Sequence, residues 1–153
     1  MATTITATEL SVNITESITL NGSEYGNSIS KSFSTLGEVD QRIMNITQLN
    51  FESGGTEIIK TSTEDGRGTV VANDWAYFRI TNLDDTNFIT LRFVSATDAV
   101  YIKIEAGESF MLMSPDFDIE SSPFGGGTFA DIRTIAAASD TAACDIEYVI
   151  ATA

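Results

Sequence analysis

Hydrophobic and polar residues alternate with a period of two along much of this chain. In residues 10–20 the apolar side chains all occupy even positions, with polar residues between them: Leu10, Val12, Ile14, Ile18 and Leu20. This period is typical of a β-strand with one buried and one solvent-exposed face. Glu16 is the one exception on the apolar side, and we interpret it as a bulge or an edge position rather than a catalytic acid.

Four further runs rich in β-branched and aromatic residues, separated by turn-forming clusters, lie at 75–81, 88–94, 99–105 and 109–113. Because each connection is short, we expect these strands to be sequential neighbours in an antiparallel meander. In the run 88–94 only Thr90 and Arg92 are polar, which predicts a central strand covered on both faces. No run shows a helical period, so the strands must bury one face against a second sheet.

Asn21-Gly22 is the strongest hairpin signal in the chain, and we expect a turn or short loop over residues 21–28. The remaining strands are predicted at 29–36, 41–51, 56–62, 129–138 and 143–151. Within 42–49 a single helical turn is the alternative. The total of nine to ten short strands predicts an all-β protein, an antiparallel β-sandwich, with jelly-roll connections as one option.

The 153 residues are long enough to form a single domain, 1–153, with a core that needs no disulfide or metal. We expect residues 1–8 to be an extended N-terminal segment and residues 115–128 to be one long irregular loop, since the loop holds both prolines and three successive glycines. Long loops inside compact domains are often functional. The apolar side chains of Phe117, Ile119 and Phe124 in this loop require a surface to lie on, either this domain's own or a neighbour's.

The residue types present exclude most enzyme classes. The chain has no histidine, which removes the commonest general base and metal ligand, and its single cysteine, Cys144, cannot form an intramolecular disulfide or a four-cysteine zinc site. Cys144 alternates in phase with Ile146 and Tyr148, which predicts a buried, unreactive side chain. We therefore expect no enzymatic activity, no cofactor and no metal.

Three weaker signals have simpler interpretations. Acid pairs suited to glycoside hydrolysis cannot be chosen from the sequence, and we interpret the acids as solvated. The spacing Asp116-x-Asp118-x-Glu120 resembles the opening of a calcium loop but lacks the glycine and the bidentate acid that follow in such loops. Trp75, Tyr77 and Tyr101 would suit an aromatic sugar-binding platform if exposed, although aromatic residues in strands are more often part of the core.

The charge pattern argues against nucleic acid as a partner. The net charge is −14 and the eight basic residues are scattered singly, so the surface repels phosphate. The N-terminus has neither a basic region nor an apolar run, and no segment has the roughly 18 consecutive apolar residues of a membrane span. We expect a soluble chain that binds neither nucleic acid nor membrane.

Three stretches together resemble small virion structural proteins of tailed bacteriophages, notably those of marine and cyanobacterial hosts. They are S-V-N-I-T-E-S-I-T-L-N-G (11–22), Y-F-R-I-T-N-L-D-D-T-N-F-I-T-L-R-F (77–93) and I-K-I-E-A-G-E-S-F-M-L (102–112). The resemblance covers about half of the chain. Similar proteins serve as head decoration (cement) proteins, head-to-tail connectors or tail components, and the resemblance implies no catalytic residue.

The expected function is therefore capsid decoration: a cement protein on the outer surface of a phage head, binding the major capsid protein and itself as a homo-oligomer, with a trimer as the expected stoichiometry. It would be made in the host cytoplasm and located on the virion exterior. The candidate interface lies in the N-terminal segment and the long loop: Ile5, Phe117, Ile119, Phe124 and Phe129. The alternatives are a neck, tail or fibre component, and a carbohydrate-binding β-sandwich module.

Overall fold

The computed structural model describes residues 9–34, 36–37, 39–50, 54–62, 69–71, 75–114, 117–120 and 129–152. Within these ranges the chain forms strands and turns and no helix. The strands are β1 (Leu10–Leu20), β2 (Ser23–Phe33), β3 (Val39–Ile46), β4 (Thr56–Ser62), β5 (Thr69–Val71), β6 (Trp75–Asn82), β7 (Ile89–Val94), β8 (Ala99–Ile104), β9 (Ser109–Leu112), β10 (Asp118–Ile119), β11 (Ala130–Asp131), β12 (Thr134–Ser139) and β13 (Cys144–Thr152).

Two sheets form the body of the protein. One has five strands in the order β5-β4-β12-β7-β8, and the other has four in the order β3-β13-β6-β9. All neighbouring strands in these sheets are antiparallel except β4 and β5. The all-β, sandwich prediction is confirmed.

The strand order also identifies the connections. When β5 is left out and the other eight sandwich strands are counted along the chain, the two sheets read 1-8-3-6 and 2-7-4-5. This interleaving of the two sheets is the order of a jelly roll, a sandwich of two Greek keys. The jelly-roll option is therefore confirmed, with β5 as an added edge strand.

The predicted meander is wrong, although the four strands themselves are confirmed. Of the consecutive strands only β7 and β8 pair with each other, because the chain passes to the other sheet between β6 and β7 and again between β8 and β9; β6 pairs instead with β9. Asn82, fully buried at the end of β6, joins the two crossings: its Nδ2 donates to the carbonyl oxygen of Asn87 at 2.8 Å and to that of Glu105 at 3.2 Å. Short connections can thus cross between sheets when a buried side chain binds both of them.

The core between the sheets is rich in aromatic and branched side chains. Phe93 is 1% exposed, and its ring lies 6.4 Å from that of Phe78 and 5.8 Å from that of Phe110. β7 lies inside its sheet, as predicted, and its alternate residues are fully or half buried. Cys144 is buried on the inner face of β13, which confirms that prediction as well.

β1 and β2 form a separate two-stranded sheet, the β1–β2 hairpin. Its register runs from Leu10↔Phe33 to Leu20↔Ser23, and the turn residues Asn21 and Gly22 have φ of 51° and 80°. Both positive values are those of a type I′ turn, whose twist matches the strands it joins. The predicted hairpin is confirmed, but the predicted loop over 21–28 is wrong, since the two-residue turn lets β2 begin at once.

The prediction of one buried face for residues 10–20 holds only at the base of the hairpin. There Leu10, Val12 and Phe33 are half-buried against a cluster that includes Tyr77 and Ala151, on the four-stranded sheet. Further along, Ile18 is 51% exposed and Leu20 is 59% exposed. The hairpin therefore extends beyond the surface of the sandwich.

Three smaller differences complete the comparison with the sequence. The strand predicted at 41–51 is β3, 39–46, and it contains no helical turn. The segment 115–128 is not wholly irregular, because its described part includes β10, which pairs with β11. Residues 1–8, 115–116 and 121–128 otherwise lie outside the described residues.

Candidate functional site

The two faces of the β1–β2 hairpin differ sharply in chemistry. In an antiparallel pair, directly opposite residues share a face. The apolar face, beyond the base, consists of four rows: Leu20 with Ser23, Ile18 with Tyr25, Glu16 with Asn27, and Ile14 with Ile29. We call these eight residues the apolar face. The opposite rows contain only serine, threonine, asparagine, glycine and one glutamate.

The apolar face is accessible to solvent. Tyr25 is 59% exposed and Ile29 is 52% exposed, values that the sandwich core does not approach. From Ile14 to Leu20 the strand spans about 20 Å at the usual rise per residue. A face of this length presents several large side chains to solvent side by side, rather than one isolated residue.

The polar face, in contrast, forms its own hydrogen bonds across the strands. Ser30 donates to Asn13 Oδ1 at 2.7 Å, and Thr19 donates to Glu24 Oε1 at 3.1 Å. The hydroxyl groups of Ser11 and Ser32 lie 3.2 Å apart. These groups are satisfied within the hairpin, so the chemistry left without a counterpart is on the apolar face.

Two local features fix the hairpin in place. At the base, Lys31 Nζ donates to the carbonyl oxygen of Met113 at 3.0 Å and lies 4.9 Å from the centre of the Phe33 ring. In the middle, a Cβ atom at Gly26 would overlap the carbonyl oxygen of Glu16, so only glycine fits without a shift of the backbone. The hairpin is thus anchored at one end and closely paired along its length.

Charge is distributed unevenly between the hairpin and the rest of the chain. Residues 10–33 carry two acidic side chains, Glu16 and Glu24, and one basic side chain, Lys31. The hairpin therefore has a net charge of −1, and the remaining residues carry −13 of the total of −14. A nearly neutral, half-apolar extension projects from a strongly acidic protein.

The candidate interface residues that the sequence suggested do not form one exposed surface among the described residues. Phe117 packs on the protein's own core, with its ring 5.9 Å from that of Phe93, and Ile119 is 5% exposed. These positions explain the apolar residues of this segment without a neighbouring subunit. Phe129 is 68% exposed, whereas Ile5 and Phe124 lie outside the described residues.

A polar network crosses the outer face of the four-stranded sheet. Glu147 accepts hydrogen bonds from Arg79 at 2.8 Å and from Gln41 at 2.7 Å, and the Arg79 contact is the main reason why the pKa of Glu147 is lowered. Thr81 and Ser109 continue the network, 2.8 Å apart. These contacts join all four strands of the sheet.

The other perturbed groups are also structural. Burial raises the pKa of Tyr148 to about 12, with a further contribution from Asp40, whose Oδ2 accepts its hydroxyl at 3.2 Å. Burial likewise raises the pKa of the Cys144 thiol, which disfavours the reactive thiolate. Among the residues described here, no three metal-ligating side chains come together.

The aromatic platform suggested for a sugar-binding module is not assembled around Trp75. This residue is 3% exposed, and its ring packs edge-on against Phe78 at 6.3 Å. Tyr101 is 54% exposed, with the Arg92 guanidinium 5.9 Å from its ring centre. The two residues therefore do not form a shared exposed surface.

The chain matches no known protein family, no curated protein and no solved structure. In the part of the chain that the structure describes, no helix is long and apolar enough to cross a membrane. Interpretation of function thus depends on the geometry of this molecule and on the resemblance noted in its sequence.

Sequence reasoning missed the apolar face as a candidate site. Ile18, Leu20, Tyr25 and Ile29 were not among the predicted interface residues. A signal was present: a two-residue turn at Asn21-Gly22 fixes the register, and that register places Tyr25 opposite Ile18 and Ile29 opposite Ile14. What the sequence did not reveal is that, within the described residues, Ile18, Leu20, Tyr25 and Ile29 all remain more than half exposed.

Proposed function

We propose that this protein is a non-enzymatic structural protein of a phage virion, a decoration (cement) protein on the outer surface of the head. The observation that supports an attachment role is the β1–β2 hairpin, whose exposed apolar face extends beyond the sandwich. The sequence resemblance supplies the virion as the setting. A jelly roll by itself favours no single function.

The acidic charge supports the outer surface as the location. The residues outside the hairpin carry −13 of the net charge of −14. Such a surface would be repelled by packaged DNA on the inner side of a shell and is tolerated on the outer side. By binding only the assembled shell, the protein would oppose its disassembly through mass action.

The first experiment adds purified protein to heads that lack it and locates it by electron cryo-microscopy. We expect density repeated over the icosahedral surface, in contact with the major capsid protein. Density at a single vertex would instead favour the neck or tail alternative. If the protein did not bind at all, a virion role on these particles would be refuted. The cement role has a separate test, since decorated heads should withstand heating better than bare ones.

The carbohydrate-binding alternative loses its best residue, because Trp75 is buried. Tyr101 alone remains as an exposed aromatic of the proposed platform. Glycan-array binding that disappears in Tyr101→Ala would revive this alternative.

A further inference from the structure

We propose that the apolar face of the β1–β2 hairpin docks against the same face of a second copy of this chain, with the two hairpins antiparallel about a two-fold axis. The contact is between two copies of the chain. It depends on the proposed function only because the capsid surface would hold many copies close together.

The first argument is that the hairpin is incomplete alone. A two-stranded hairpin is marginally stable in water and needs further strands or a packed face. The base has such packing, through Phe33 and its neighbours, whereas Ile18, Leu20 and Tyr25 are each more than half exposed. A second surface packed on these side chains would bury the apolar face of the hairpin, as each sheet of the sandwich buries the inner face of the other.

The second argument concerns charge and identifies a second copy as the occupant. Two chains of net charge −14 repel, but the hairpin carries only −1 of this charge. Antiparallel hairpins that overlap over their free length hold the two acidic bodies about 20 Å apart, beyond the screening length of about 8 Å at physiological salt. A strongly basic partner would instead be attracted to the acidic sandwich and would find almost no charge on the hairpin.

The third argument is that the face is complementary to itself. When two faces pack antiparallel with the axis between the Glu16 and Ile18 rows, Ile14 lies over Leu20 of the second copy, and Glu16 lies over its Ile18. Asn27 then lies over Tyr25 of the second copy, so no two like charges meet. If the hairpins ran parallel, as around a three-fold axis, the Glu16 side chains of all copies would lie at the same height along the contact, which is unfavourable. Two-fold pairing is therefore preferred.

The size of the face sets the strength of the contact. About 20 Å of length and about 10 Å of width give roughly 200 Å² per copy, or roughly 400 Å² in total. A stable interface buries about 1,200–2,000 Å², so the pair is weak between free molecules in dilute solution. Copies held side by side on a shell have an effective concentration of about a millimolar or more, which favours the paired state.

The test is cross-linking of full-length variants that each carry one introduced cysteine. Asn27→Cys places a thiol on the apolar face near the axis, and Ser28→Cys places one on the polar face of the same strand; both positions are exposed. The native Cys144 is buried and does not interfere. The reagent is a bismaleimide that spans about 10 Å, the usual spacing of packed sheets.

We expect Asn27→Cys to cross-link into dimers at least about tenfold faster than Ser28→Cys. A tenfold ratio corresponds to about 1.4 kcal/mol. The rate should increase with protein concentration. Equal rates for the two variants, or no dimers from either at millimolar concentration, would overturn the inference.

A second measurement uses no cysteine variant. In sedimentation equilibrium, pairing should strengthen as salt increases, since salt screens the repulsion between acidic bodies. Ile18→Thr should weaken pairing about tenfold, while the neighbouring control Ser17→Thr, on the polar face, should leave it unchanged. Equal effects of these two substitutions, or pairing that weakens with salt, would contradict the proposed contact.

These experiments separate the inference from the proposed function because they need no phage particle. Selective cross-linking at Asn27 in a protein that does not bind heads would support the contact between copies and refute decoration. Binding over the head surface without selective cross-linking, in solution or on the particle, would support decoration and refute the contact between copies.

Discussion

The β1–β2 hairpin and strand β13 have the same alternation of apolar and polar residues but very different surroundings. On β13, Ile146 and Ile150 are almost completely buried between the two sheets, whereas Ile18 and Leu20 on β1 are more than half exposed. An alternating pattern determines that one face of a strand is apolar. It does not determine whether the covering surface belongs to the same chain.

The largest expected difference between the two regions is in stability. Phe93→Ala, in the centre of the aromatic core, should lower the free energy of unfolding by about 3–5 kcal/mol. Ile18→Ala on the hairpin should change it by no more than about 0.5 kcal/mol in dilute solution, where the hairpins are unpaired. Urea denaturation measures both. A large loss in Ile18→Ala would mean that its own chain covers this face after all.

A matched pair of asparagine substitutions sharpens the comparison. Asn82→Ala removes the amide that bonds the two sheet crossings and should cost about 1–3 kcal/mol, since buried carbonyl groups lose their donor. Asn13→Ala removes an exposed hydrogen bond to Ser30 on the hairpin and should cost less than about 0.5 kcal/mol. Thermal unfolding of the two variants checks this, and equal costs would contradict the role assigned to Asn82.

Tyr148→Phe should cost about 1 kcal/mol at neutral pH through loss of the hydrogen bond to Asp40. Because the pKa of Tyr148 is raised from 10.0 to about 12, its neutral form is favoured in the folded state. Its contribution is complete below pH 10 and is lost as the pH rises towards 12. Wild type should therefore lose more stability than Tyr148→Phe over this interval, measured by urea denaturation. The exposed Tyr25→Phe is the control and should behave as wild type does.

The smallest effect on the sandwich is expected from Gly26→Ala. The new Cβ would overlap the Glu16 carbonyl oxygen and disturb the hairpin. The free energy of unfolding of the sandwich should change by less than about 0.5 kcal/mol, since the two regions meet only at the hairpin base. Hydrogen exchange should become faster in β1 and β2 alone, and Asn27→Ala should leave it unchanged. Faster exchange throughout the sandwich would show that the regions are coupled.

Much of the secondary structure was predictable from local chemistry. Asn21-Gly22 specified its turn because few residues adopt positive φ at two successive positions. Alternation located β6, β7, β8, β9 and β13 to within a residue or two. The polar segment 23–28 was assigned to a loop because its residues have low strand propensity, but pairing with β1 outweighs that preference.

The strand order was less predictable. A short connection between two strands is compatible with a hairpin and with a crossing between sheets, and only the buried contacts of Asn82 distinguish them. The candidate site shows a related difficulty. Phe117 and Ile119 suggested an interface because they are apolar residues in a loop-like segment, yet the core of the same chain accommodates them. Composition identifies apolar residues, whereas the tertiary fold decides which of them remain exposed.

The jelly-roll order has a consequence for the timing of folding. β13 lies between β3 and β6, so the four-stranded sheet cannot close until the chain up to Thr152 has left the ribosome. The two strands of the hairpin pair with each other, from Leu10↔Phe33 inward, so their pairing requires no strand that is synthesised later. Local hairpins form in about 1–10 μs, while sandwiches with distant strand pairs take about milliseconds to seconds. The apolar face of the hairpin is thus among the first surfaces that a nascent chain presents to its neighbours.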